Sequence, residues 1–333
     1  MPRGSRVLVL STLSVAAAAC GTVQRTGPSR AGGEEALSCS SPIPGANAVL
    51  VPGTLVLFGE LHGTTEVPRF VVDLACQAAS RGIVMDLGLE LPGEEQLRID
   101  SFLASGGTTQ DEQALLEGQF WQRPLQDGRS SRAMADLLDR IRRLRRSGAR
   151  IQVFLFDRAK PGRNRDADMA KNILEVYAQK QEDLVLVLTG NLHAKTEKVP
   201  MGSTELVPMG FELVKAGARV TSLASAHPPG TAWVCQGSGV ESCGSHQMRG
   251  KARGDSRFIQ LSESDAAGYN GIFYVPSLTA SPPARASGSS AGPGSAIDKL
   301  SARSTPSARG EVVASDSVPA AVVARTVFAI PAR

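Results

Sequence analysis

Two histidines of this 333-residue chain share one local frame. They are Gly59-Glu60-Leu61-His62 and Gly190-Asn191-Leu192-His193, each at the end of a strongly apolar run (54–60 and 183–190). Two more apolar runs end in carboxylates, "IVMDLGLEL" (83–91) in Glu90 and "RIQVFLFD" (150–157) in Asp157. A carboxylate buried without a partner is very costly, so Glu90 needs an arginine, a histidine or a metal. Two chemistries suit Glu60, His62, Glu90 and His193. They can hold one divalent cation (Mn, Zn or Co) with an open position, which would acidify a bound water and polarise a carbonyl. Alternatively, one imidazole oriented by Glu60 or Glu90 acts as a metal-free general base and drives water onto an ester. No Gly-x-Ser-x-Gly elbow, phosphate loop or Gly-x-Gly-x-x-Gly turn follows these runs, which argues against a serine nucleophile and a nucleotide site.

Such residues converge only if the runs are strands ending at one edge. Between them lie stretches with helical spacing. Val67, Phe70, Val71, Leu74 and Ala78 mark one, and Met134, Leu137, Leu138, Ile141 and Leu144 another. Further helices are expected at 93–104, 109–118, 166–179 and 206–216, and further strands at 218–224, 231–235, 257–261 and 271–275. The alternation predicts an α/β fold, a mainly parallel central sheet flanked by helices, with antiparallel edge strands near 231–275. Open parallel sheets bind ligands outside the carboxyl ends of their strands. The arginines at 140, 142, 143, 145 and 146 read as a solvated helix face. His227 and His246 read as surface residues, and Cys76 as an inert core thiol on its helix.

Three segments carry a family resemblance: "FGELHGTTEVPRF" (58–70), "RDADMAKNI" (165–173) and "TGNLHA" (189–194). With Glu90 in "LGLELP", they resemble the superfamily joining erythromycin esterases, Tiki/TraB metalloproteases and ChaN-type haem-uptake lipoproteins, over about residues 50–225. The resemblance implies a catalytic or metal-binding set of Glu60, His62, Glu90 and His193. Around it stand Glu66, Asp157, Arg165, Asp166 and Asn191, bracing the site or touching substrate; helix capping is an equal explanation of Asp166. The stretch 121–134 is expected to cover the site, with Arg123 and Arg129 pairing with the buried acids or a substrate carboxylate. The implied activity is hydrolysis of an ester or peptide bond. The alternatives are haem or metal binding without turnover, and a degenerate interaction module.

The chain ends read differently. Arg3 and Arg6 precede a short apolar run (7–19) that ends Ala-Ala-Ala-Cys, which reads as an export signal (1–20) with a lipidated Cys20. A Gly/Ser/Pro-rich tether (21–48), a catalytic-type domain (49–278) and a low-complexity tail (279–333) follow. This places the protein in the bacterial cell envelope, anchored through Cys20. Cys235 and Cys243 close a short Gly/Ser loop and are expected to form a disulfide there. The balance of 36 basic and 32 acidic residues, net +4, gives no ground for a nucleic-acid partner.

Overall fold

In the computed structural model, which describes residues 39–262 and 267–285, the first apolar run forms β1 (Leu55–Glu60), buried along its whole length. Alternate side chains of a strand point to opposite faces. Leu55 and Leu57 join one apolar cluster with Met169, Ile173, Met209 and Leu213, while Val56 and Phe58 join another with Phe70, Leu74, Leu137 and Leu138. A strand that is apolar on both faces must be covered on both, so helices lie on each side of the sheet.

The chain continues through α1 (Glu66–Ser80), β2 (Met85–Pro92), α2 (Gln96–Ala104), α3 (Thr109–Leu116), the single turn α4 (Gln119–Gln122) and α5 (Arg132–Arg146). Next come β3 (Ile151–Asp157), α6 (Arg165–Gln179), β4 (Leu184–Gly190) and the single turn α7 (Asn191–Ala194). A small hairpin of β5 (Val199–Met201) and β6 (Thr204–Leu206) leads to α8 (Met209–Lys215) and β7 (Val220–Ala226). Last are the hairpin of β8 (Gly230–Cys235) and β9 (Cys243–Met248), then β10 (Phe258–Leu261) and β11 (Gly271–Tyr274).

The main sheet has seven strands in the order β10-β11-β7-β1-β4-β2-β3. All neighbours are parallel except β10 and β11. The antiparallel edge expected near 231–275 is formed by β10 on β11. β11 joins β7 in parallel, the chain reversal before it leaves only β10 antiparallel, and β8 and β9 pair apart from the main sheet. The four strands that carry Glu60, Gly190, Glu90 and Asp157 at or near their carboxyl ends are immediate neighbours. At the open edge, the Gln96 amide donates to Val153 O and accepts from Leu155 N, so a side chain does the work of a further strand.

Packing runs beyond the expected limits of 49 and 278. Ile43 and Ala46 are buried, and Ile259 N donates to Pro44 O. At the other end, Ala280 bridges Thr64 and Pro283 bridges Ser131. The thiol expected to be inert at Cys76 is half of a disulfide with Cys39, whose low-complexity surroundings carry no periodic signal. The expected Cys235–Cys243 disulfide is formed. Two disulfides fit an exported protein in an oxidising compartment. Among the described residues no helix is long and apolar enough to cross a membrane. The signal segment, Cys20 and the tail beyond Arg285 lie outside the described residues.

Candidate active site

Glu60, the last residue of β1, is in register with Gly190, the last of β4. The β2–β3 register shifts between Leu89 and Pro92, and Glu90 lies within that shift. Glu90 is buried. Its Oε2 accepts from Gly190 N at 2.7 Å and from Thr189 Oγ1 at 2.8 Å. Its Oε1 accepts from Arg165 Nη2 at 2.6 Å and more loosely from Arg129 Nη1 at 3.4 Å. His62 Nε2 stands 3.6 Å from Oε2 and His193 Nε2 4.0 Å from Oε1. Burial works against the charge, but the facing His62, His193 and Arg129 outweigh it and hold the Glu90 carboxyl well below the usual carboxylate range.

The two histidines differ. His62 Nδ1 lies 2.9 Å from Glu60 Oε1. Burial disfavours its charged ring, yet Glu90 and the Glu60 hydrogen bond prevail, and the His62 pKa rises to about 10. His62 is thus an imidazolium at neutral pH. Burial pushes the Glu60 carboxyl up in spite of His62, and its Oε2 is buried with no hydrogen-bond partner among the described residues. His193 Nε2 lies 2.9 Å from Arg165 Nη1, and its Nδ1 lies 2.7 Å from Asp166 Oδ1. An arginine can only donate, so Nε2 is the acceptor and Nδ1 carries the proton, which it gives to Asp166. Asp166 Oδ1 also accepts from Met209 N at 2.8 Å. The contacts on its two sides thus fix which His193 ring nitrogen accepts and which donates.

The arginines are held as firmly. Asp157, at the end of β3, accepts from Arg165 Nε (3.1 Å), Arg165 Nη2 (2.7 Å) and Arg129 Nη1 (2.8 Å). Asp127 takes Arg129 Nε and Nη2 at 3.1 and 2.8 Å.

Several expected residues lie elsewhere. Arg123 reaches neither Glu90 nor Asp157. It stacks on Phe120 and pairs with Asp127 at 2.5 Å, and so supports Arg129 through that carboxylate. Glu66 accepts from Thr279 N and Oγ1, which ties the start of α1 to the segment after β11. Asn191 contributes its carbonyl, to Tyr269 Oη. Thr189 and Asp127 were not singled out in the sequence. Thr189 adjoins the second Gly-x-x-His frame, and Asp127 lies between two arginines already flagged, so both had local signals.

The β1–α1 loop is pinned from outside. Gly63 O accepts from Trp233 N and from Ser281 N, both at 2.8 Å, while Trp233 Nε1 donates to Gln126 O. Gly63 has φ +74°, and a Cβ there would lie 2.0 Å from Trp233 O.

The metal expectation is not met by this donor set. Among the described residues no three His, Cys, Asp or Glu are arranged to hold an ion. The reason is electrostatic: two guanidinium groups already occupy the space between Glu90, Asp157 and His193, and His62 is itself charged. A haem iron held by either of these histidines would need a ring nitrogen with its lone pair available. Each ring nitrogen of both histidines faces a protein group instead.

A layered α/β sheet with a histidine, carboxylate and arginine cluster at its strand ends is the class this chain represents. No protein-family profile and no curated protein matches the sequence. Among solved structures, a mutant of the erythromycin esterase EreC in its open conformation superposes with a TM-score of 0.53 at 13% identity, over 72% of this chain and 94% of that one. A Bacillus cereus protein follows at 0.46 and 12% identity, over 71% and 91% of the two chains. Haem-bound ChaN of Campylobacter jejuni gives 0.34 and 13%, over 54% and 84%. The first likeness shows a shared fold.

Proposed function

We propose that the protein is an exported hydrolase of ester or amide bonds, tethered to the bacterial envelope through Cys20, that activates water without a metal. The observation that carries this reading is the pair of imidazoles facing one carboxylate, His62 between two acids and His193 between Arg165 and Asp166 with Nε2 placed as an acceptor. His193, oriented by Asp166, is the base; His62, charged and oriented by Glu60, is the acid. Water takes the place of Arg165 at His193 Nε2 as the planar guanidinium moves aside as a unit, while Arg129 keeps its hold on Asp157 and Glu90. The water oxygen then bonds to the carbonyl carbon as its proton passes to His193 Nε2. The bond to the leaving group breaks, and that group takes the His62 proton. Proton exchange with solvent restores both rings.

The test is hydrolysis of a panel of aryl esters and short peptides by the wild type, His62→Ala and His193→Ala, with thermal melts alongside. Each variant is expected to lose roughly 10²–10⁴-fold in kcat while remaining folded. Full turnover in both would overturn the reading. A Soret band on haem titration that vanishes in His193→Ala would replace it with a binding role.

A further inference from the structure

The two arms of the site that carry His62 and Arg129 meet back to back. A Cβ at Gly128, which has φ +94°, would lie 2.5 Å from Gly63 N and 2.8 Å from Trp233 O, so three backbones touch there. Trp233 of β8 is bonded to both arms. Its N donates to Gly63 O at 2.8 Å, one residue past His62, and its Nε1 donates to Gln126 O at 3.0 Å, one residue before Asp127. Cys235, two residues further along the strand, brings its Sγ to 3.4 Å from the same Gln126 O. Asp127 in turn holds Arg129, which reaches Asp157 and Glu90. One tryptophan therefore fixes His62 relative to the guanidinium that stays in place when Arg165 moves aside.

The strand that carries Trp233 has slender support. β8 and β9 form a two-stranded sheet, and such a pair is marginal by itself. Thr231 anchors one end: its N donates to Leu278 O and its Oγ1 accepts from Ala280 N. At the other end Cys235 faces Cys243 in the ladder and is bonded to it covalently. Both of these cysteines are partly exposed, whereas Cys76 of the other disulfide is buried. Thiolate attack needs access to a sulfur, so Cys235–Cys243 is the pair open to a reductant.

We propose that Trp233 is a positioning residue for both arms, and that the Cys235–Cys243 disulfide is the switch that engages it. The inference rests on the hydrolase reading above. A dithiol supplies the reducing equivalents. One of its thiolates attacks a sulfur of the pair, and the S–S bond breaks as the other cysteine leaves. The second thiol of the reductant then displaces the first cysteine. The reductant departs as a disulfide, and two electrons and two protons remain on Cys235 and Cys243 as thiols. With the ladder end open, Trp233 releases Gln126 O, and Arg129 loses its seat on Glu90 and Asp157.

The test uses the full chain and whichever aryl ester it hydrolyses fastest. Dithiothreitol is expected to lower kcat at least about tenfold with little change in KM, and reoxidation to restore it. Alkylation and mass spectrometry identify the pair that opened. Cys235→Ser/Cys243→Ser should be as slow without reductant, and dithiothreitol should slow it no further. Trp233→Phe keeps the backbone donor but loses Nε1, and should lose kcat with both disulfides closed. Hydrogen exchange gives a readout that does not need turnover. Reduction should speed exchange over 126–131 more than over 62–65, because Gly63 O keeps its bond from Ser281 N while Gln126 O loses Trp233 Nε1. Wild-type kcat and wild-type exchange in Cys235→Ser/Cys243→Ser, folded by thermal melt, would overturn the inference. If that variant does not fold, wild type with only this pair reduced takes its place. If no ester turns over, the hydrolase reading fails by itself and exchange alone decides about the clamp: faster exchange over 126–131 on reduction supports it, and unchanged exchange overturns it.

Discussion

Arg165 Nη1 approaches His193 Nε2 to 2.9 Å while Asp166 Oδ1 holds the opposite ring nitrogen at 2.7 Å, so the two flanking groups dictate the same tautomer. An asparagine Oδ1 there can still accept from both Nδ1–H and Met209 N, so Asp166→Asn keeps the tautomer and removes only the charge that steadies the ring as it takes up a proton. Asp166→Asn is expected to lower kcat by roughly 10²–10⁴-fold with a modest change in stability. Nitrogen NMR of the imidazole should still report the Nδ1–H form. A variant that keeps the full rate would contradict this role.

His62 sets the alkaline limit. Its pKa is raised from 6.5 to about 10. A group whose folded pKa is raised stabilises the fold fully below its unfolded pKa, and that contribution is lost as pH climbs to the folded value. Stability owed to His62 should therefore fall progressively between about pH 6.5 and pH 10. Turnover that needs the imidazolium should hold through neutral pH and decline near pH 10. Urea titrations and kcat measured across this range, on wild type and His62→Gln, provide the check, since the variant should lack the stability slope.

Gly63 is predicted to tolerate no side chain. At φ +74° an alanine is strained, and its Cβ would meet the Trp233 carbonyl at 2.0 Å. Gly63→Ala should cost at least about 2 kcal/mol in chemical denaturation. It should also reduce kcat, because the displaced backbone carries the neighbouring His62. A fully active variant of wild-type stability would mean that the loop is not braced in this way.

Chelation should change nothing. With guanidinium groups seated between the carboxylates, dialysis against a strong chelator is expected to leave ester hydrolysis intact. Activity lost on chelation and restored by Mn, Zn or Co would return the site to metal chemistry.

Much of this was legible because the signals were local. Buried strands announce themselves as apolar runs, and a polar residue at the end of such a run can only emerge at the sheet edge. Glu60, Glu90, Asp157 and His193 followed from that alone. Arg165 and Asp166 were visible at a helix start, but not which partner each would choose. That choice depends on β3, β4 and α6 meeting in space, and it converted an expected metal cage into an ion-pair network. Cys39 pairing with Cys76 was hidden for a related reason: a residue in a Gly/Ser-rich stretch carries no period to place it against a helix. Glu66, one residue past a loop, looked like part of the site and instead clasps Thr279.

The Cys39–Cys76 bond closes the chain into a covalent ring that contains β1 and the Gly63 turn. Cys76 lies ten residues along α1 from Glu66, about 15 Å down the helix from the end that adjoins the strand edge. The ring therefore ties the far end of α1 to the stretch ahead of β1 even in the unfolded chain, and it shortens the search that brings strand and helix together.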